Sequence, residues 1–454
     1  MNPQPHRDLA HDLIFPTILF AALGAMTWAV RGCSGFGGSA GCIFAGVTWG
    51  AAWWFIARDA SGHQSRRYTS GWIILALTVG IGYSGSRGWA QWSSFFEGRL
   101  QTNTAAGEFV SISPAYGFLW LFIAGVPWAG IGACMLAWCG SARRTTVWHW
   151  GIRIACGIGG AWLAATLFRH LPQVFLPLYD TLESRYHDFD ANPNLRRLIN
   201  DNRAAVMHMG IYLGFLAYEI GRRDWKNVVL IVTVGLLNGV GWSACQNWKW
   251  ADNVWPEVGF NWWRCWESSG GISIGIAYGV AYYLVNRPVT DEERERLGAL
   301  LTNTRPNLER FGAYLGLILG LGLSIQNGLK GWANIYLGNE DLWAARFWNV
   351  IGPLMLLGLA GAVILIVIRR LPKGYEGDVF PHAAWLIWTA LIVQNIIAQL
   401  VTGPHSNWVE TAFSIYYGVL FLITAGIVLH YQYRRRTSLW QRTESRAATI
   451  LPAD

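Results

Sequence analysis

Runs of about 20 mainly apolar residues, each bounded by short polar or basic segments, recur along the whole chain. An α-helix needs about 20 residues to cross a hydrocarbon layer of roughly 30 Å, so each run predicts a membrane-spanning helix. The spans fall at 12–30, 38–57, 71–88, 115–137, 150–169, 204–221, 226–245, 269–286, 310–329, 349–368, 383–402 and 411–430. Taken in order they pair into six helical hairpins, 12–57, 71–137, 150–221, 226–286, 310–368 and 383–430, within a single transmembrane domain over 1–454. Segment 170–202 is the one long external loop, and 431–454 reads as a cytoplasmic tail. The fold class expected is an all-α polytopic membrane protein of twelve transmembrane helices.

The patterns at the span ends repeat. Gly80–Trp89, Gly239–Trp248 and Gly320–Trp332 share a glycine-rich start, a central serine and a closing tryptophan. Glu267 precedes Gly275 by the same spacing that separates Glu410 from Gly418. An internal repeat of hairpins suggests a pseudo-sixfold double ring, with odd spans outside and even spans inside. In helix number and loop placement alone, this resembles the soluble six-hairpin toroids of many glycan-active enzymes. Gly271, Gly275 and Gly279 recur every fourth residue, which lets neighbouring backbones approach.

Charge refines the topology. Only 14% of residues are charged while 53% are hydrophobic, which excludes a disordered chain. The formal charge of +8 is carried largely by arginines after the even spans: Arg66 and Arg67, Arg143 and Arg144, Arg222 and Arg223, Arg287, Arg369 and Arg370, and Arg434 to Arg436. This asymmetry predicts both termini in the cytoplasm of a bacterial-type inner or plasma membrane. Arginines that mark successive turns do not build one nucleic-acid surface, so no nucleic-acid partner is expected. The first span is too long for a cleaved signal peptide and lacks a small-residue cleavage site. The seven cysteines form no CxxC pair. Cys245 and Cys265 fall on one side, where they form either a bracing disulfide or free thiols, and Cys33 with Cys42 is a second pair.

Candidate chemistry gathers at the predicted outer ends. Glu108, Asp201, Glu267, Glu340, Asp341 and Glu410 lie there, with Arg31, Arg87, Asn247, Gln326, Asn327 and His405 at similar depth. The loop 170–202 adds Asp180, Glu183, Asp188 and Asp190, and His208 follows it. Trp89, Trp248, Trp263, Trp266, Trp332 and Trp408 are on the same side, among 28 tryptophans in all. Indole faces mixed with carboxylates and amides suit a saccharide, which offers apolar ring faces and hydrogen-bonding edges. The expectation is therefore a membrane-embedded, glycan-active enzyme that cleaves or rearranges a glycosidic bond of a saccharide or glycoconjugate. Glu267 and Glu410 form the first carboxylate pair, with Glu108, Asp201, Glu340 and Asp341 in reserve. Retention calls for carboxyls about 5 Å apart, inversion for about 6.5–9.5 Å. Twelve repeated, glycine-rich spans also fit a secondary transporter of a sugar or other small polar solute, and a noncatalytic receptor or scaffold is a third reading. No cofactor or metal is expected: histidines with HExxH-like spacing are absent, and Ser84 has no motif-related histidine.

Overall fold

The computed structural model describes residues 8–33, 38–57, 66–85, 90–141, 143, 145–290, 292, 293, 295, 306–367 and 408–450. Among these residues, eight helices are long and apolar enough to cross a membrane, and two shorter apolar helices accompany them. The chain is a largely helical, polytopic membrane protein. The eleventh predicted span, 383–402, lies outside the described residues.

A short π-helical stretch, Ala10–Ile14, leads into α1, Phe15–Cys33. There follow α2, Gly38–Ala57, α3, Trp72–Ser84, and the short α4, Ala90–Phe95. Strands β1, Arg99–Asn103, and β2, Glu108–Ser111, come next and pair antiparallel. The helices then continue with α5, Ala115–Trp138, α6, Val147–His170, α7, Pro172–Phe175, and α8, Tyr179–His187. After these come α9, Pro193–Gly221, α10, Trp225–Ala244, α11, Asn247–Val254, and α12, Trp262–Val285. The described chain ends with α13, Pro306–Tyr336, α14, Glu340–Val367, and α15, Trp408–Ile450.

The β-hairpin corrects the all-α expectation. Leu100 and Thr102 alternate inward while Gly98 and Gly107 supply positive φ at the bends, a pattern too short and polar to register as a strand pair. Segment 170–202 is also more ordered than a loop. It holds α7 and α8, and α9 begins at Pro193, well before the predicted span at 204, with proline at the position where its missing N–H costs nothing.

Packing partners trace a closed circuit of six helices: α1 on α2, α2 on α3, α3 on α5, α5 on α10, α10 on α12, and α12 back on α1. Among the described residues this circuit mixes odd and even predicted spans, rather than sorting odd spans outside and even spans inside. The difference lies in which faces are covered: α2, α3 and α5 are buried over most of their surface, whereas α6 and α14 turn large apolar side chains outward. The α6–α9 hairpin packs on α5 and α10, α13 packs on α2 and α3 with α14 outside it, and α15 packs on α1.

Indoles fill the circuit. Trp263 meets Trp266 at 4.6 Å between ring centroids, Trp266 meets Trp242 at 5.5 Å, and Trp242 meets Trp28 at 5.8 Å. The series continues through Trp49 at 6.1 Å and Tyr278 at 6.0 Å to Trp53 and Tyr282. Between Trp263 and Tyr282 α12 rises about 28 Å, close to a hydrocarbon thickness. Close backbone approach makes room for these rings: a side chain at Gly24 would meet the Gly271 carbonyl oxygen at 2.0 Å, and one at Gly271 the Gly24 oxygen at 2.0 Å. Side-chain donors then reach carbonyls on neighbouring helices. Trp49 donates to Phe20 at 3.0 Å, Tyr278 to Ala129 at 2.9 Å and Ser84 to Trp128 at 2.6 Å, so the Ser84 hydroxyl is engaged in packing.

One end of the helices carries buried ion pairs; we term it the arginine end and the opposite one the tryptophan end. Arg153 and Glu219 are both fully buried, with Nη2 to Oε1 at 2.7 Å. Trp138, Trp150 and Tyr218 face the guanidinium at 4.9–5.1 Å. The other Glu219 oxygen accepts from Asn227 at 2.9 Å, and Asn227 accepts from Tyr68 at 2.7 Å. Arg67 pairs with Asp224, and Arg66 reaches Asp12 at 2.8 Å and the Asn286 carbonyl at 2.7 Å. Arg66 and Arg67 thus act as ties between helices in addition to marking a turn. Cys245 and Cys265 are free thiols, so no disulfide joins them; the side chain of Cys33, from the second suggested pair, lies outside the described residues.

Candidate functional site

The site begins with two glycine-lined helices. α6 and α9 touch where Gly160 faces the Gly210 carbonyl and Gly214 faces that of Cys156; a Cβ at either Gly160 or Gly214 would lie 2.1 Å from the oxygen opposite. Nearer the tryptophan end the side chains grow, and a cavity of about 830 Å³ opens between the helices. α6 contributes Ala165, Phe168 and Arg169 to its lining, and α8 contributes Tyr179, Tyr186 and His187. α9 presents Asn200, Arg203, Ala204, Met207 and His208, whose spacing of three and four residues places them on one helix face. Tyr83 closes one side from α3, its ring 4.9 Å from the buried His208.

Neighbouring elements hold the cavity roof in place. Asn202 accepts from Trp92 at 2.7 Å and donates to the Phe175 carbonyl at 2.8 Å, which ties α4, α9 and the end of α7 together. From the β-hairpin, Asn103 donates to Ala191 at 3.2 Å and the Thr104 N–H to Asn194 at 2.9 Å. Tyr186 donates to the Pro177 carbonyl at 2.8 Å. Burial, with nearby Tyr116 adding to it, pushes the Tyr186 phenol up from its ordinary range and keeps it a neutral donor.

The electrostatics of the lining are one-sided. Arg169, Arg203, His187 and His208 contribute basic groups, and among the described residues no carboxylate lines the cavity. Arg169 is exposed, and Arg203 donates to the neutral Asn200 amide oxygen at 3.4 Å. Asp180, Glu183, Asp188 and Asp190 are exposed and face away from the lining. Cationic edges, four aromatic rings and an apolar floor suit a ligand that joins an acidic group to an apolar body.

A second, smaller opening of about 340 Å³ lies between α12 and α15. It is lined by Trp248, Phe260, Cys265, Ser268, Phe413 and Tyr416, among others, and the Ser268 and Tyr416 hydroxyls meet at 2.9 Å. Several sequence candidates gather near it. Trp248 stacks on Trp262 and donates to Ser269 at 3.0 Å, and Trp408 lies 5.5 Å from Phe260. Trp263 is half-buried against Trp266, which is fully buried in the indole series. Glu267 is 1% exposed in the second turn of α12, and Asn247 is exposed at the start of α11.

The remaining candidates are scattered. Glu108 is exposed on β2, Asp201 pairs with Arg197 at 3.8 Å within α9, Gln326 is buried in α13 and Asp341 is exposed in α14. Arg87, Trp89 and His405 lie outside the described residues, as do the side chains of Arg31, Asn327, Trp332, Glu340 and Glu410. Among the described residues no cluster of three or more histidines, cysteines or carboxylates is placed to hold a metal. Sequence reasoning singled out His208 but missed Arg169, His187 and Arg203. For Arg203 the signal was the polar face of α9, extending N-terminal to the apolar span; Arg169 lies in the last turn of α6 and His187 closes α8, and neither carried one.

Fold and cavity together define a polytopic helical membrane protein with a cationic, aromatic-walled pocket at one end. Compared with known protein families, with curated proteins and with solved structures, the chain matches none.

Proposed function

We propose that the protein binds an acidic polar ligand, an acidic saccharide or phosphorylated glycoconjugate, in the pocket between α6, α8 and α9. The observation that carries this reading is the lining: two arginines and two histidines with aromatic walls and no carboxylate among the described residues. Arginine forks pair two N–H groups with a carboxylate or phosphate, and tyrosine faces support a sugar ring. We read the full chain as twelve transmembrane helices with both termini cytoplasmic in a bacterial-type inner membrane, so that the pocket faces outward; the arginines after even spans support that orientation. The indole-filled interior of the helix circuit favours binding or chemistry at one face over conduction along the circuit axis.

Calorimetry on the purified protein with glucose 6-phosphate, glucuronic acid and glucose tests the proposal. The two acidic sugars are expected to bind at least about tenfold tighter than glucose, with the preference lost in Arg169→Gln/Arg203→Gln. Equal affinity for all three sugars defeats the reading.

A second reading, glycosidic-bond chemistry, draws support from buried Glu267 beside the α12–α15 opening. A carboxyl removed from water is a candidate general acid. Glu267→Gln is then expected to retain glycoconjugate binding while turnover falls by two orders of magnitude or more. Unchanged turnover rejects Glu267 as the acid.

A further inference from the structure

We infer that the acidic ligand of the α6–α9 pocket is a membrane lipid, entering sideways from the bilayer with its anionic headgroup on Arg169 and Arg203 and its chains along α6. The inference rests on the acidic-ligand reading above and adds where the ligand comes from.

The argument starts from one face of α6. Ile154, Ile158 and Trp162 are 48%, 65% and 69% exposed. In a membrane helix, such exposed apolar side chains face lipid. The same face continues through Ala165 and Arg169, because steps of four, four, three and four residues at 100° each keep all five positions within about 80° of arc. Ala165 and Arg169 are lining residues of the pocket. The lipid-facing stripe therefore runs without interruption into the cavity mouth, and no polar rim separates them along this helix.

The depth order fits an amphiphile. The cavity floor is mainly apolar, made by Ala165, Phe168, Ala204 and Met207 beside the buried His208, and lies toward the membrane interior just beyond the glycine contact of α6 with α9. Its cationic groups Arg169 and His187 sit in the last turns of α6 and α8, and Arg203 immediately precedes the apolar span that begins at 204. Arginine at a span end places its guanidinium in the headgroup zone while its stem covers apolar surface. Basic pockets between transmembrane helices hold anionic headgroups by this arrangement. A volume of about 830 Å³ also exceeds the needs of one phosphorylated sugar and leaves room for the start of an acyl chain.

Native mass spectrometry of the full-length protein in detergent tests this with three probes: dioleoyl phosphatidylglycerol, dioleoyl phosphatidylcholine and glycerol 1-phosphate. Phosphatidylglycerol is expected to be retained about tenfold over phosphatidylcholine, and Arg169→Gln/Arg203→Gln to remove that preference. Glycerol 1-phosphate, which has the headgroup chemistry without chains, is expected to bind at least about tenfold more weakly than the lipid. Ala204→Trp fills the floor, so it should lower lipid retention by a larger factor than glycerol 1-phosphate binding. Equal retention of the two lipids, or a wild-type preference in the double arginine variant, overturns the inference. If glycerol 1-phosphate binds as tightly as phosphatidylglycerol, the membrane source fails while the acidic-ligand reading stands. If no anion binds, both fail.

Discussion

The six-helix circuit and the α6–α9 hairpin are built from the same residue types and do opposite things with them. Both are rich in glycine and tryptophan. In the circuit, glycines face carbonyls of the next helix and the space so gained is filled by indoles, leaving the most apolar window of α5 78% buried. In the hairpin, the corresponding window of α6 is only 22% buried, and its tryptophans at 148 and 162 point outward. Glycine contact there occurs over a short stretch near the middle, and beyond it the helices part around a cavity. Close helix approach therefore gives a filled core where small residues persist along the helix, and a ligand-sized space where they give way to large ones on one side only.

The two regions are joined by the Arg153–Glu219–Asn227 tie, and breaking it should have the largest effect. Glu219→Leu leaves the Arg153 guanidinium buried without its countercharge, for an expected loss of about 3–5 kcal/mol. The double variant Arg153→Met/Glu219→Leu removes both charges and should recover most of that loss. Thermal unfolding of the three proteins checks this, and a Glu219→Leu cost below about 1 kcal/mol means that the tie holds neither α6 to α9 nor the hairpin to the circuit. Next in size is a contrast between glycines. Gly271→Ala drives a methyl against the Gly24 carbonyl, a fixed backbone atom, with an expected cost of about 1–3 kcal/mol. Gly159→Ala in α6 meets nothing within 4 Å, so helix propensity should make it neutral or stabilising by up to about 1 kcal/mol. Equal effects of the two substitutions would erase the distinction between the regions.

How far the sequence reveals these regions depends on the range of the interaction. The apolar runs mark α1, α5, α6, α10, α13 and α14 because membrane insertion is decided by each segment alone. Which helices enclose the core is decided by matching surfaces on distant segments, so the circuit of odd and even spans was not readable from span order. The Arg153–Glu219 tie left a trace: Glu219 is the one formal charge inside its predicted span and Arg153 lies inside the other span of the same hairpin, and an intramembrane charge calls for a partner. The pocket left less. Segment 170–202 and the start of α9 carry Asp180, Glu183, Asp188, Asp190 and Asp201, so local composition looks acidic. Only folding of α8 and α9 sorts those carboxylates away from the lining and turns His187, Arg203 and His208 toward it. Trp266 misleads in the other direction: its neighbours in sequence include exposed indoles, but its own face of α12 points into the core.

The smallest expected effect concerns acid, and it sharpens the contrast because it acts at the arginine end and spares both the indole core and the pocket. Glu293 lies outside the spans, with Arg287 at 2.7 Å and Lys226 at 3.5 Å. Partial burial alone would raise its carboxyl, but Lys226, the Thr290 N–H and Arg287 outweigh burial and hold it below the ordinary range. A carboxyl depressed in the folded state contributes stability above its unfolded value of about 4.3, and that contribution is lost as pH falls through the folded value. Stability should therefore decline between about pH 5 and pH 3, with Glu293→Gln removing part of the slope. Solvent screening of this half-exposed group limits the share to about half a kcal/mol. Unfolding midpoints of wild type and Glu293→Gln should thus converge at pH 3 and separate at pH 6. Parallel curves would mean that the Glu293 contacts add nothing to the folded state, leaving the buried Arg153–Glu219 and Arg67–Asp224 pairs to hold that end.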